Sequence, residues 1–283
     1  MQVDIKIVSE NIQDVNDVSH IATGGQKSVF KCVHNTHGNV VVKVIDNPNK
    51  DQRIQREIDI VTGNDFSNVP HIYEFIYKNI NSHEFLFIIE QFISGKNLRC
   101  LLRKNGVFNT ADAISILRQL LSTVVELEDH HLVHRDIKPE NIMMDKNNNL
   151  WLLDFGIARH LDMTSITATQ EHFGPHTLGY AAPEQYRNIK AEINSRADMF
   201  SIGVVFYELV TGTNPYTSTA QSHLDVIRRI EQVQTPRLDT QIADTQQLSD
   251  FIYVLMSKYP SRRPKNARQA LSWFNEIYSD IEL

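Results

Sequence analysis

His134-Arg135-Asp136-Ile137-Lys138-Pro139-Glu140-Asn141, followed by Asp154-Phe155-Gly156, is the stretch from which the rest of the chain can be read. It gathers carboxylates, a carboxamide and cations into short strings. The apolar Leu150 to Leu153 leads into Asp154 as a short strand would. Such a donor set is what phosphoryl transfer asks of a protein: position a hydroxyl, hold metal ions against phosphates and neutralise developing charge. Taken singly, each residue has a plainer reading. Asp136 and Asp154 would be turn residues, Asn141 a cap and His134 a core histidine. The ordered set is far more specific than its members.

The strings resemble the catalytic loop and metal motif of the eukaryotic-type (Hanks-type) protein kinase family. The resemblance implies that Asp136 accepts the proton of the substrate hydroxyl, Lys138 approaches the transferred phosphate, and Asn141 and Asp154 hold Mg²⁺. His134 would pack beneath Phe155. By the same resemblance, Lys43 in Val40-Val41-Val42-Lys43 grips the α- and β-phosphates of ATP. Glu57, in Arg56-Glu57-Ile58, would be its salt-bridge partner on a helix. Ile89-Glu90-Gln91-Phe92 resembles the segment joining the two lobes of the family, where backbone groups of Glu90 and Phe92 would bond the adenine edge and side chains matter little. Ile89 would guard the pocket behind adenine. The family's phosphate-covering loop, aligned on Val29, puts Ala22, Gly24 and Lys27 at its three glycine positions. Gly24 and the adjacent Gly25 can still bring backbone close to phosphate, and Lys27 adds a cation.

Ala182-Pro183-Glu184 and Arg263-Pro264 resemble the family motifs whose Glu and Arg pair internally, and Asp198 would cap backbone beneath the catalytic loop. These spread the resemblance from about Ile21 to about Phe274. Lys138 in its string and Thr177 before Tyr180 resemble serine/threonine rather than tyrosine kinases. Ala182-Pro183-Glu184-Gln185 and the compact length resemble bacterial members. Arg135 is implied to pair with a phosphate on the segment between Gly156 and Ala182, so autophosphorylation is expected at Thr164, Ser165, Thr167 or Thr169. Two other readings are a kinase scaffold that binds partners without transfer, and a small-molecule phosphotransferase. The first is opposed by the presence of Lys43, Asp136, Asn141 and Asp154 together, the second by an activation segment ending at Ala182-Pro183-Glu184.

Outward from the motifs, β-branched Val40 to Ile45 and apolar Phe85 to Ile89 read as strands. From Thr110 the pattern becomes helical, with Ile114, Leu117, Leu121, Val124 and Leu127 on one face, Thr110 as N-cap and Asp112 in the first turn. Asp198 to Val210, stopped by Gly212 and Pro215, and Pro264 to Ile277 read as further helices. The composition changes near Ser94-Gly95. The expected fold is α+β and kinase-like: a β-rich lobe over 1–92, a helical lobe over 93–283, and ATP in the cleft.

Composition limits the alternatives. The chain has 283 residues, 41% hydrophobic and 22% charged, with a net charge of −6, which gives no basic footprint for nucleic acid. Apolar runs fall far short of the roughly 20 residues that span a bilayer. The N-terminal Met-Gln-Val-Asp shows neither a myristoylation glycine nor a signal peptide, so no membrane anchor is expected. Cys32 and Cys100 have no metal-ligand spacing and read as reduced core thiols in a cytoplasmic protein. The expected partners are protein substrates.

Overall fold

The computed structural model describes residues 3–24, 27–48, 52–154, 178–187, 192–232, 235–239 and 245–278, and the side chains of 52–57 fall outside that description. The chain divides between Ser94 and Gly95 into two compact units, and Asp154 returns to the first. The first is a sheet and the second is dominated by helices, so the fold is α+β.

The first unit opens with α1 (Ile5–Ser9), whose N-terminal amides of Lys6 and Ile7 donate to the Asp4 side chain. Strands β1 (Val15–Gly24), β2 (Lys27–His34), β3 (Gly38–Asp46), β4 (Ile72–Ile80) and β5 (His83–Gln91) form one antiparallel sheet in the order β1-β2-β3-β5-β4. Helix α2 (Gln52–Gly63) lies between β3 and β4 in sequence. Alternation along the strands sorts side chains between two faces. Phe30, Cys32, Val40, Val42, Val44, Phe85, Phe87 and Ile89 form one buried cluster with Ile7 and Val8 of α1. Each of these Val, Ile and Phe side chains contributes about 1.5–3 kcal/mol when fully buried. The opposite face follows from the register: Ala22 stands opposite Val29, Val29 opposite Lys43, and Lys43 opposite Ile88.

The second unit begins with β6 (Gly95–Asn97) and α3 (Leu98–Asn105), followed by α4 (Thr110–Asp129). The N-cap of α4 is Asn109, not Thr110: its side-chain oxygen accepts the amide of Asp112 at 2.8 Å, and Thr110 becomes the first helical residue. Strands β7 (Ile142–Asp145) and β8 (Leu150–Leu152) complete a small sheet with β6. After α5 (Pro183–Tyr186) comes α6 (Ser195–Thr211), buried along nearly its whole length and ended by Gly212 at φ +74°. Gly203 lets α6 approach closely, since a Cβ there would meet Met256 at 2.8 Å. Helices α7 (His223–Gln232), α8 (Gln246–Leu255) and α9 (Ala267–Ile277) follow, and α4 packs against both α6 and α9. The last helix starts later than Pro264 because Asn266 caps it, accepting the amide of Gln269 at 2.8 Å.

Cys32 is buried as expected, whereas Cys100 is exposed because Leu98 and Leu102 take the inward face of α3. No helix among the described residues is long and apolar enough to cross a membrane.

Candidate active site

On the face of the first sheet away from α1, four charged groups form a line. Lys43 Nζ lies 2.6 and 2.7 Å from the two carboxylate oxygens of Glu90 and 2.7 Å from Oδ1 of Asp154. Lys27 Nζ is 2.9 Å from Oδ2 of the same Asp154. Burial works against charge on Lys43, but the carboxylates of Asp154 and Glu90 outweigh it and raise its pKa. For Asp154 burial again opposes ionisation, yet Lys27 and Lys43 hold the carboxyl well below its usual range. Acidic and basic side chains alternate along Glu90, Lys43, Asp154 and Lys27, and burial pushes the Glu90 carboxyl above its usual range against the pull of Lys43.

Two sequence expectations change here. Ile89 stands opposite Val42 and is buried in the core cluster, so its side chain points away from Lys43 and guards nothing there. Glu90 is in register with Val41 of β3 and Ile72 of β4, and it reaches Lys43 with its side chain, which therefore matters. Phe92 follows the end of β5, with the ammonium of Lys31 4.4 Å from its ring centre. Ala22 and Val29 face each other across β1 and β2, and Gly24 stands opposite Lys27 at the hairpin end. Gly25, the side chain of Glu57, Phe155, Gly156, Thr164, Ser165, Thr167, Thr169 and Thr177 lie outside the described residues.

In the second unit the loop over residues 134–141 is pinned from several sides. Asp198 of α6, fully buried, accepts the backbone amides of His134 at 2.8 Å and Arg135 at 2.7 Å. Burial pushes its carboxyl up to about 6, against the pull of those two amides. His134 Nε2 lies 2.9 Å from the Leu153 carbonyl, which ties the loop to the segment entering Asp154. Gln185 of α5 donates to the Arg135 carbonyl at 2.9 Å. Arg135 itself has φ +67°, a left-handed conformation held in place by this bonding.

So fixed, the loop groups Asp136, Lys138 and Asn141. Lys138 Nζ is 2.8 Å from Oδ2 of Asp136, and Asn141 Nδ2 donates at 2.9 Å both to that oxygen and to the Asp136 carbonyl. Glu140, in the same string, receives Arg99 Nε at 2.8 Å, and Arg99 also pairs with Glu208 of α6 at 2.7 Å. Arg263 and Glu184 form a doubly bonded ion pair at 2.6 and 3.0 Å, both side chains essentially inaccessible.

The donor types suit a hard divalent cation such as Mg²⁺. In the first unit the Asp154 carboxylate oxygens hold two ammonium groups, and in the second unit the Asn141 amide nitrogen donates to Asp136. A second group, His34, His37 and Glu74, also brings ligand atoms within 4.8 Å of one another. There His34 Nδ1 accepts the amides of Thr36 at 3.1 Å and His37 at 3.3 Å, which puts the ring proton on Nε2 and suits a turn anchor better than a metal ligand.

Sequence reasoning missed the Glu90 side chain, the Lys27–Asp154 pair and the brace from Gln185. A carboxylate ending a continuous apolar strand was the available signal for Glu90, since such a group needs a buried cation.

With this geometry in place, comparison with known proteins gives the class. The protein kinase domain family model matches residues 15–274, and the chain belongs to that family. It is 30% identical over 185 residues to the serine/threonine-protein kinase PrkC of Bacillus subtilis, covering 65% of this chain and 27% of that protein. It is 28% identical over 260 residues to the probable serine/threonine-protein kinase PknB of Corynebacterium glutamicum, covering 88% and 40%. With the PknB of Bifidobacterium longum the figures are 30% over 227 residues, 76% and 32%. The chain thus spans less than half the length of each of these relatives.

Proposed function

We propose that this chain is a protein serine/threonine kinase that transfers the γ-phosphate of ATP to hydroxyl groups of protein substrates, in the cytoplasm and with Mg²⁺. The observation that carries the reading is the Asp136 carboxylate, held by Lys138 and Asn141 on a loop whose backbone is fixed by Asp198. A carboxylate so oriented takes the proton from the attacking hydroxyl, and the Lys138 ammonium stabilises charge on the transferred phosphoryl group. Lys43 holds the α- and β-phosphates. Ala22, Gly24, Gly25 and Val29 cover the phosphates, Lys27 adds a cation to them, and backbone at Phe92 meets adenine. Asn141 and Asp154 would hold Mg²⁺, which when bound neutralises phosphate charge. Transfer to the chain's own activation segment belongs to the same proposal. Relatives named as serine/threonine-protein kinases support the acceptor class.

The test is to incubate the purified chain with labelled Mg·ATP, with and without a generic Ser/Thr protein acceptor, beside Asp136→Asn. Label should pass to the acceptor with the wild type alone. No transfer by wild type, or equal transfer by the variant, would overturn the reading.

A further inference from the structure

Strand β5 is apolar without a break from Phe85 to Ile89, and Glu90 closes it at 7% exposure. A carboxylate at such a place is tolerated when it is paired. Both its oxygens reach the Lys43 ammonium, at 2.6 and 2.7 Å. Asp154 also touches Lys43, but its situation differs: its side chain is 27% exposed, and its other oxygen holds Lys27. One carboxylate is committed to the lysine, and the other is shared and accessible.

The backbone explains why the first pair is fixed. Lys43 stands opposite Ile88, and Glu90 is two residues further along the same face of the same neighbouring strand. Lys43 and Glu90 are therefore diagonal neighbours on adjacent central strands, and their separation is set by the sheet. No helix has to move into place to complete it.

We infer that Glu90 is the positioning residue for Lys43, a strand-borne carboxylate that does the work expected of Glu57 on α2. This deepens the kinase reading and rests on it. When Asp154 turns to another cation, Lys43 loses one partner and keeps Glu90, so its ammonium stays on the phosphate-binding face. The side chain, not the backbone, carries this role, which makes it separable from any backbone contact Glu90 makes.

Glu90→Gln removes the charge and keeps the backbone and volume. Glu90→Met fills the site with apolar atoms and serves should the Gln variant fail to fold. Equilibrium titration with a fluorescent ATP analogue in Mg²⁺ gives Kd without requiring transfer, and steady-state kinetics gives KM for ATP and for acceptor peptide. Either variant should raise Kd and the KM for ATP on the order of tenfold, equivalent to about 1.4 kcal/mol, with the peptide KM unchanged. Glu90→Asp should recover part of the loss, which a purely structural defect would not allow. Glu57→Gln should raise Kd less than Glu90→Gln does. Binding by Glu90→Gln or Glu90→Met within about twofold of wild type, or a larger loss in Glu57→Gln, would overturn the inference. If the wild type binds nucleotide but phosphorylates nothing, the kinase reading falls while the Kd comparison still decides the role of Glu90.

Discussion

The Lys27 ammonium sits 2.9 Å from Oδ2 of Asp154, a residue 127 positions further along the chain. Lys27 also stands opposite Gly24 at the end of the β1–β2 hairpin. The cation at the last of the three glycine-loop positions is thus already turned towards Asp154, the carboxylate proposed to hold Mg²⁺. Lys27→Gly should raise the KM for ATP roughly fivefold, about 1 kcal/mol for a partly exposed charge, and the effect should shrink in high salt. Ala22→Gly, which removes no charge, should change it less. Tighter ATP binding by Lys27→Gly would show that backbone alone grips the phosphates.

Lys43→Ala and Asp154→Ala should both lower transfer by roughly 10²–10⁴-fold. They should differ in stability. Removing Lys43 strands the buried Glu90 carboxylate, a loss of about 3–5 kcal/mol, whereas Asp154 is partly exposed and its removal leaves Lys43 paired. Thermal melts followed by circular dichroism should place Lys43→Ala clearly below Asp154→Ala. Equal melting temperatures would count against the committed Lys43–Glu90 pair.

Asp198 gives a pH signature. Its carboxyl is pushed up to about 6 in the folded chain, against about 3.9 unfolded. The folded state therefore holds this proton more tightly, and the associated stability is present below about pH 4 and is lost as pH rises through about 6. Relative to Asp198→Asn, the wild type should lose about 2–3 kcal/mol of unfolding free energy between pH 4 and 7. Urea unfolding of both proteins across that range measures it, and a flat difference would remove the assignment.

Glu184→Gln should destabilise the second unit by about 3–5 kcal/mol, because it leaves the Arg263 guanidinium buried against a neutral partner. Replacing both residues together by apolar ones of similar volume should lose less than either single change. Denaturant titration of the three variants gives the comparison.

Protein incubated with Mg·ATP should carry phosphate at Thr164, Ser165, Thr167 or Thr169, with Thr167 and Thr169 first. A phosphate there adds about −1.5 to −2 charge and supplies oxygens for bidentate bonds from Arg135, so activity should rise. Mass spectrometry reads the sites. An unmodified segment, or full activity after all four become Ala, would defeat the idea.

The catalytic loop is legible in the sequence because Asp136, Lys138 and Asn141 fall in one string, whereas the distant residues that pin it, Asp198 and Gln185, lie outside that string. The α+β division is legible because the apolar period changes from strands to helices around Ser94. The partner of Lys43 is not, since an unbroken run such as Phe85 to Ile89 gives no alternation from which to tell the faces of a fully buried strand. Only pairing with β3 shows that Ile89 turns inward with Val42 while Glu90 turns to Lys43. The start of α4 fails for a smaller reason: Asn109 and Thr110 are both good caps, and the helical turn decides between them.

The rung that runs from Ala22 through Val29 and Lys43 to Ile88 makes β3 sensitive to the parity of its length. One residue inserted between Gly38 and Lys43 would rotate the lysine to the other side of the sheet, among Phe30, Phe87 and Ile89, and would bring a valine out beside Glu90. Two inserted residues would restore the side each residue takes. Length variation in this strand is therefore tolerated only in even steps or as a bulge, while the turn at Asn35–His37 can vary more freely because it lies outside the paired rungs.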